Sequence, residues 1–462
     1  MTIIQATFMF LQEVFARPAI LVGIVALIGL LIQKKPFTDV LKGTIKTILG
    51  FVILSSGAGI VGLSLKIFND LLIGSFNITG ILPLNEVMMA VSTEKYGTQM
   101  AIILAIAMVL NILLARITKF KFIYLSGHEA MWISCLMAIV LNNLNLPAWQ
   151  VIVGGSMLTG LYMTMGPLLT YKMVCNLTGT KDIALAHTGG LAYFISAKVA
   201  KYTGNKEKSA EDVNVPKHLN FLRDTSISIT LAMFFLYLGV CILSMIVNPA
   251  VAAKALGANN FIIVSVMNSV QFAAGVYVIM AGVRMALGEI IPAFTGIANK
   301  LVPNAVPALD IPVLFPYAPN SVMVGFMAAI FGILAGFAMQ ILLIGTPLEL
   351  PIVLPTVFGA FFIGATSGAL SNKEGGIRGV VIGGFVSGIL RIIFPALLIA
   401  FGKVTVSNTT FAGADASAIG IFFGSVSKIF SGQGVFILIL VMFALPIAYS
   451  LLTTKKLESF EK

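Results

Sequence analysis

His128 and Glu129 are neighbours in Ser126-Gly127-His128-Glu129, at the head of a long apolar run. Burying ionisable groups is costly unless they are paired or line a polar cavity. A neutral imidazole both donates and accepts hydrogen bonds, which suits a hydroxyl-rich solute. The alternative is a His–Glu hydrogen bond that ties two helices together. Trp132, one turn later, either stacks on a solute ring or packs. His187 lies in Ala186-His187-Thr188-Gly189-Gly190, where the two glycines let the backbone approach a ligand or another helix. An interfacial helix break is the other reading there. Asp310, between Pro307 and Pro312, is a poor helix-packing residue and a good acceptor for hydroxyls. Asn85 and Glu86 form a second polar pair beside a proline, Pro83. Thr366 and Ser367 sit in Gly364-Ala365-Thr366-Ser367-Gly368, a run that by default packs helices closely and also offers two hydroxyls.

This chemistry is recognition without bond-making. No GxxxxGK[ST] phosphate loop, HExxH or CxxC occurs, and Cys135, Cys175 and Cys241 have neither metal nor disulfide spacing. No catalytic residue, metal site or cofactor is expected.

The elements that must hold these residues are membrane helices. Of 462 residues, 58% are hydrophobic and only 10% are charged, too little polar surface for a water-soluble globule. The net charge of +11 is spread between apolar runs, so it reads as membrane topology and not as a nucleic-acid surface. The N-terminus lacks the basic region of a cleaved signal peptide. At about 20 residues per span, the expected spans are 18–33, 47–65, 96–115, 122–144, 148–171, 225–247, 261–283, 321–345, 350–372, 379–402 and 429–454. With the N-terminus outside, 22 of the 29 basic residues fall on inside loops and six outside, with Arg391 within a span. The positive-inside rule then gives an odd number of spans with the C-terminus in the cytoplasm.

Two apolar segments are interrupted, 81–94 (ILPLNEVMMAVSTE) and 286–320, the latter with six prolines. Broken backbone at membrane depth is tolerated where it is buried in protein or lines a cavity. The breaks follow spans two and seven, so units of five spans have opposite orientation, an arrangement used by secondary transporters. Ile67–Leu72 (IFNDLL) faintly echoes Ile297–Val302 (IANKLV). The expected fold is an all-α polytopic membrane protein of about eleven spans, with inverted five-span repeats and two broken or re-entrant segments. Within the single membrane unit 1–462, the first repeat covers 18–171, a cytoplasmic loop 172–224, the second repeat 225–402 and a final span 429–454. The loop reads either as a solvated segment after an interfacial helix or as a docking surface for a soluble partner.

Lys42–Phe51 (KGTIKTILGF), Asn111–His128 (NILLARITKFKFIYLSGH) and Ala308–Met327 (ALDIPVLFPYAPNSVMVGFM) resemble, in order, the ascorbate-type membrane permease, enzyme IIC, of the bacterial sugar phosphotransferase system. The resemblance implies a homodimer in the inner membrane, a mobile core that carries solute past a fixed dimerisation domain, and separate soluble IIA and IIB chains. IIB would pass phosphate from a Cys to the solute at the cytoplasmic face. His128 and Asp310 match positions of the family's solute pocket, and 84–86 and 187–189 resemble others. The ascorbate-type pattern has a Gln where this chain has Thr188-Gly189-Gly190, and another near Trp132. The family is therefore more firmly marked than the substrate, which is expected to be L-ascorbate or a related sugar acid, with a pentose or alditol as the variant. An ion-coupled carrier of a small polar solute is the competing function, using Asp310 or Glu86 as the coupling group. A membrane-embedded enzyme and a channel are the remaining classes.

Overall fold

The computed structural model describes residues 18–76, 80–213, 225–406 and 408–453. Helices α1 (Pro18–Ile32), α2 (Phe37–Phe76) and α3 (Asn85–Ile117) are followed by α4 (Gly127–Asn143), α5 (Ala148–Met165), α6 (Leu168–Thr178) and α7 (Gly190–Thr203). Then come α8 (Thr225–Val247), α9 (Pro249–Leu256), α10 (Phe261–Leu301), α11 (Pro319–Leu342), α12 (Val357–Leu397), α13 (Ala414–Val426) and α14 (Gly432–Leu452). Among the described residues, five helices are long and apolar enough to cross a membrane, six when the bent pair Pro249–Leu256 and Phe261–Gly275 is one span. The protein is a multi-pass, largely helical membrane protein.

Helix α12 folds back on itself. Gly376 has φ 61° and ψ −160°, outside the helical region. A Cβ at Gly383 would meet Ser371 Oγ at 2.3 Å, and one at Gly359 would meet Arg391 Nη2 at 2.2 Å, so the limbs on either side of Gly376 lie antiparallel. The turn docks on residues 204–210: Asn205 N donates to Gly375 O (2.8 Å) and Ile377 N to Lys208 O (2.7 Å). From the same stretch the Glu211 carboxylate accepts from Asn320 N (3.0 Å) and Ser321 N (2.9 Å), capping α11, which starts on Pro319. Gly325 of α11 packs against Gly364 and Gly368, where any Cβ would collide with the opposing backbone.

Among the described residues five short strands interrupt the helices. Strands β2 (Phe122–Tyr124), β4 (Val306–Leu309) and β3 (Ala184–Leu185) form a parallel sheet in the order β2-β4-β3. Strand β1 (Leu82–Pro83) pairs in parallel with β5 (Thr409–Thr410), and Ile81 bridges to Val353 on the other side. Each set thus places a central strand between two flanking segments from distant parts of the chain. Buried edges need partners, and both sets obtain them in the same way. Asn111 of α3 donates to Phe122 O (3.0 Å) and accepts from Tyr124 N (3.0 Å). Gln340 of α11 donates to Pro351 O (3.0 Å) and accepts from Val353 N (3.2 Å), each position 229 residues beyond its counterpart. Likewise Leu125 N donates to Ala308 O (2.8 Å), and Leu354 N to Ile81 O (2.9 Å).

The structure moves several expected boundaries. Residues 122–124 and 353 are extended, so the spans expected from 122 and 350 begin at Gly127 and Val357. The first interrupted segment is extended only up to Leu84, because Asn85 starts a helix. The second continues as helix to Leu301 despite Pro292, and breaks over Val306–Tyr317. The segment 172–213 is more than a loop. It contains β3 and α7, whose small face (Ala192, Ser196, Ala197, Ala200) is buried, with Ala200 against Gly375 and Gly379 of α12.

Candidate functional site

The three parallel strands run in one direction and end at one place, and the sequence continues each into a polar residue. Beyond β2 lies His128, beyond β3 lies His187, and immediately after β4 lies Asp310. Glu129 brings the first two together. Its Oε1 is 3.1 Å from His187 Nε2, and its Oε2 accepts from Thr188 N at 2.7 Å. Glu129 is completely buried, so these partners offset the cost of removing a carboxylate from water. The expected His128–Glu129 bond is not formed, since His128 Nε2 is 3.8 Å from Glu129 Oε1. Glu129 does tie elements together, but through His187.

His187 is held at both nitrogens. Gly189 N donates to Nδ1 (2.9 Å), which is also 2.9 Å from Tyr193 OH, so Nε2 carries the proton and lies 3.1 Å from Glu129 Oε1. A Cβ on Gly189 would come within 2.7 Å of the Tyr193 ring, which explains the glycine. The imidazole therefore lines the site with its polar atoms committed. His128 and Asp310 differ: His128 Nε2 and Asp310 Oδ2 face each other across 3.6 Å, beyond hydrogen-bond length. The other Asp310 oxygen caps the following 3-10 turn by accepting from Ile311 N (2.8 Å). One oxygen is structural and the other is available.

A cavity beside this cluster is lined by Asn85, Trp132, His187, Thr188, Gly189 and Arg391, together with Ala412 and Gly413. Trp132 also lies edge-on against the His128 ring, with centroids 5.0 Å apart, so the His128–Asp310 pair is one ring away from the cavity. Thr188 Oγ1 is buried and has no hydrogen-bond partner among the described residues. Asn85 enters from the second strand set, where its Oδ1 accepts from Ala412 N (2.8 Å). The Glu86 side chain lies outside the described residues. Thr366 donates to Phe362 O (2.8 Å), and it reaches the site only as a neighbour of the Tyr193 side chain. Ser367 is buried on the same limb, where its neighbours Gly364 and Gly368 pack on α11.

Sequence reasoning missed several residues of the network. Asp415 Oδ2 accepts from Tyr162 OH (2.7 Å) and its Oδ1 from Leu191 N (2.5 Å), while Asp415 N donates to Thr188 O (2.9 Å). Tyr162 OH also lies 3.1 Å from His187 O. Asp415 thus clamps the turn that carries His187 and Thr188 to α13. The available signal was an acid among small residues in Gly413-Ala414-Asp415-Ala416. Tyr162, Tyr193 and Arg391 gave only the signal of aromatic packing and of a soft span boundary. Beyond Tyr162 and Asp415 lies an apolar cavity of about 460 Å³. Among the described residues no group of His, Cys, Asp and Glu is placed to hold a metal ion.

The arrangement presents buried donors and acceptors on broken backbone inside a membrane protein, as a carrier for a polar solute requires. Comparison with known proteins agrees. A chain from Mycoplasma pneumoniae (strain ATCC 29342 / M129 / Subtype 1) described as the ascorbate-specific PTS system EIIC component is 28% identical over 460 residues, covering 88% of this chain and 68% of that one. The family EIIC-GAT, PTS system sugar-specific permease component, matches residues 13–415. With that match covering most of the chain and every strand that carries the site, the chain belongs to the EIIC-GAT family of sugar-specific permease components of the phosphotransferase system.

Proposed function

We propose that the chain carries L-ascorbate or a closely related sugar acid inward, and that separate IIA and IIB chains supply the phosphoryl group. The observation that carries this reading is the cluster at the strand ends in a permease of this family: Thr188 and Trp132 line one small cavity, and the facing pair His128 and Asp310 lies behind the Trp132 ring. His128 and Asp310 Oδ2 face solute hydroxyls, Thr188 Oγ1 adds a hydroxyl contact, and Trp132 stacks on the ring. Asn85 and Gly189 supply the opposite wall with backbone close behind them. Glu129, Tyr162, Tyr193, Thr366 and Asp415 hold these groups in place, and Ser367 packs beside Thr366. Glu86 begins the same helix as Asn85 and belongs to the same proposed wall.

Eleven spans and an inverted repeat give the carrier its architecture in this reading. Helices α1–α5 are the first five spans, α8, α10, α11 and the two limbs of α12 the next five, and α14 the last. The paired hydrogen-bond patterns of the two strand sets, 229 residues apart at Asn111 and Gln340, support the repeat. The same correspondence extends the repeats beyond 171 and 402, to α7 and α13. The N-terminus is outside and the C-terminus cytoplasmic, in the inner membrane. The permease works as a homodimer whose core moves past a fixed dimer interface, and the region 172–224 faces the soluble components.

The test is uptake into proteoliposomes with and without phosphorylated soluble IIB. Ascorbate should appear inside as its phosphate ester, and only when IIB is present. Accumulation of unmodified ascorbate in response to an ion gradient would favour the ion-coupled carrier instead.

A further inference from the structure

Tyr162 and Asp415 hold the turn that carries His187 and Thr188, and they also line the cavity of about 460 Å³ that the solute reading leaves unused. Theirs are its only polar side chains. The rest of the wall is Gly166, Ala418 and large apolar side chains drawn from α4, α5, α6, α7, α13 and α14. Both polar groups are already engaged: Tyr162 OH donates to Asp415 Oδ2 (2.7 Å), and Leu191 N donates to Oδ1 (2.5 Å). A water molecule needs about two to four polar partners to settle in a cavity, and this wall does not supply them. The occupant it suits is apolar.

The mouth of the cavity decides which apolar molecule can reach it. Leu161, Met165, Leu169 and Ile419 are only partly buried and Phe422 is 42% exposed, so the cavity is a cleft open at the surface. Met442 on its wall belongs to α14, an apolar span on which the nearby Val441 and Leu445 are exposed. In a multi-pass membrane protein such a face meets lipid hydrocarbon. The cleft therefore continues the lipid interface inward as far as the Tyr162–Asp415 pair. Size narrows the choice further. An apolar cavity of about 150 Å³ takes up one benzene, so on that scale this cleft holds roughly eighteen carbon atoms, one acyl chain. A single turn of helix, about 10 Å across and 5.4 Å long, would already occupy roughly 420 Å³, so a helix from a second copy has no room to lie in it.

We infer that this cleft is a binding site for one fatty-acyl chain of a membrane phospholipid, which packs against the Tyr162 ring whose hydroxyl holds the solute-site turn. The site goes beyond the permease reading and does not depend on it.

The test is photolabelling of the full-length chain in nanodiscs containing a phosphatidylglycerol whose palmitoyl chain carries a diazirine, with labelled residues mapped by mass spectrometry. Leu161, Met165 and Ile419 should be labelled at least as strongly as Val441 and Leu445 on the open face of α14. Ile419→Trp, which fills the cleft, should cut labelling of Leu161 and Met165 at least about fivefold and that of Val441 and Leu445 by less than about twofold. Ala418→Leu serves the same purpose where the tryptophan is not tolerated. Cleft residues left unlabelled in wild type would overturn the proposal, whether water or a second copy of the chain fills the space. So would equal labelling of the cleft in wild type and in a folded filling variant, the signature of lipid passing over the surface. The wild-type comparison decides the matter even where neither variant folds.

Discussion

The two strand sets share a backbone plan and differ in what they carry. In each, a central strand is flanked by two parallel segments, and an amide side chain on the preceding helix closes the edge. The ends of β2, β3 and β4 lead to His128, Glu129, His187 and Asp310. The matching places are taken by Val357 after Val353, Phe411 after β5, and Pro83, the last residue of β1. The second set contributes Asn85 and, through its bond to Pro83, Arg391. The strand pairing is thus alike in the two sets, and hydrogen-bonding chemistry is concentrated on one side. What distinguishes the active side is the cost of burying acids and imidazoles, which that side meets with Glu129, Tyr162, Tyr193 and Asp415.

The largest effect should come from breaking that compensation. Glu129→Ala leaves His187 Nε2 and Thr188 N without their acceptor, and should cost about 3–5 kcal/mol of stability as well as solute binding. Denaturant unfolding in detergent, run beside binding, checks it. Glu129→Gln, which keeps shape and an acceptor, should recover most of the loss. A stable, binding-competent Glu129→Ala would dissolve the contrast between the sets.

Next in size is the turn in α12 that brings Arg391 to the cavity. Gly376 sits at φ 61°, and a Cβ there would lie 2.0 Å from Asn205 O. Gly376→Ala should cost about 1–3 kcal/mol, read as a lowered unfolding midpoint.

The smallest effects test the shared plan. Asn111→Ala and Gln340→Ala each strand a buried backbone donor and acceptor, and should cost about 1–3 kcal/mol apiece. Near-equal losses in thermal unfolding would support equivalent roles. A loss at Asn111 alone would mean that only one set needs its edge closed.

The sequence showed the site where polar chemistry stands out against an apolar background, as at His128, His187 and Asp310. It hid residues that resemble their surroundings. Tyr162 and Tyr193 read as membrane packing, and Asp415 is embedded in a run of small residues. Strands of two to four residues are too short for alternation to register, so nothing in the sequence showed that Tyr124, Leu185 and Leu309 share a sheet. The helix Gly190–Thr203 was obscured by the charged stretch that follows it, because its buried face is built from Ala, Ser and Tyr and not from large aliphatics. The long spans and the hairpin limbs around Lys373 and Arg378 were legible, because uninterrupted apolar length is a strong signal.

The most direct test of the account is equilibrium binding of L-ascorbate to purified wild type, His128→Ala, Asp310→Asn and Gln340→Ala, each verified as folded. The account predicts at least about tenfold weaker binding for the first two variants and less than about threefold change for Gln340→Ala. Wild-type affinity in folded His128→Ala and Asp310→Asn would contradict it, because the strand ends would then gather these residues for some purpose other than holding the solute.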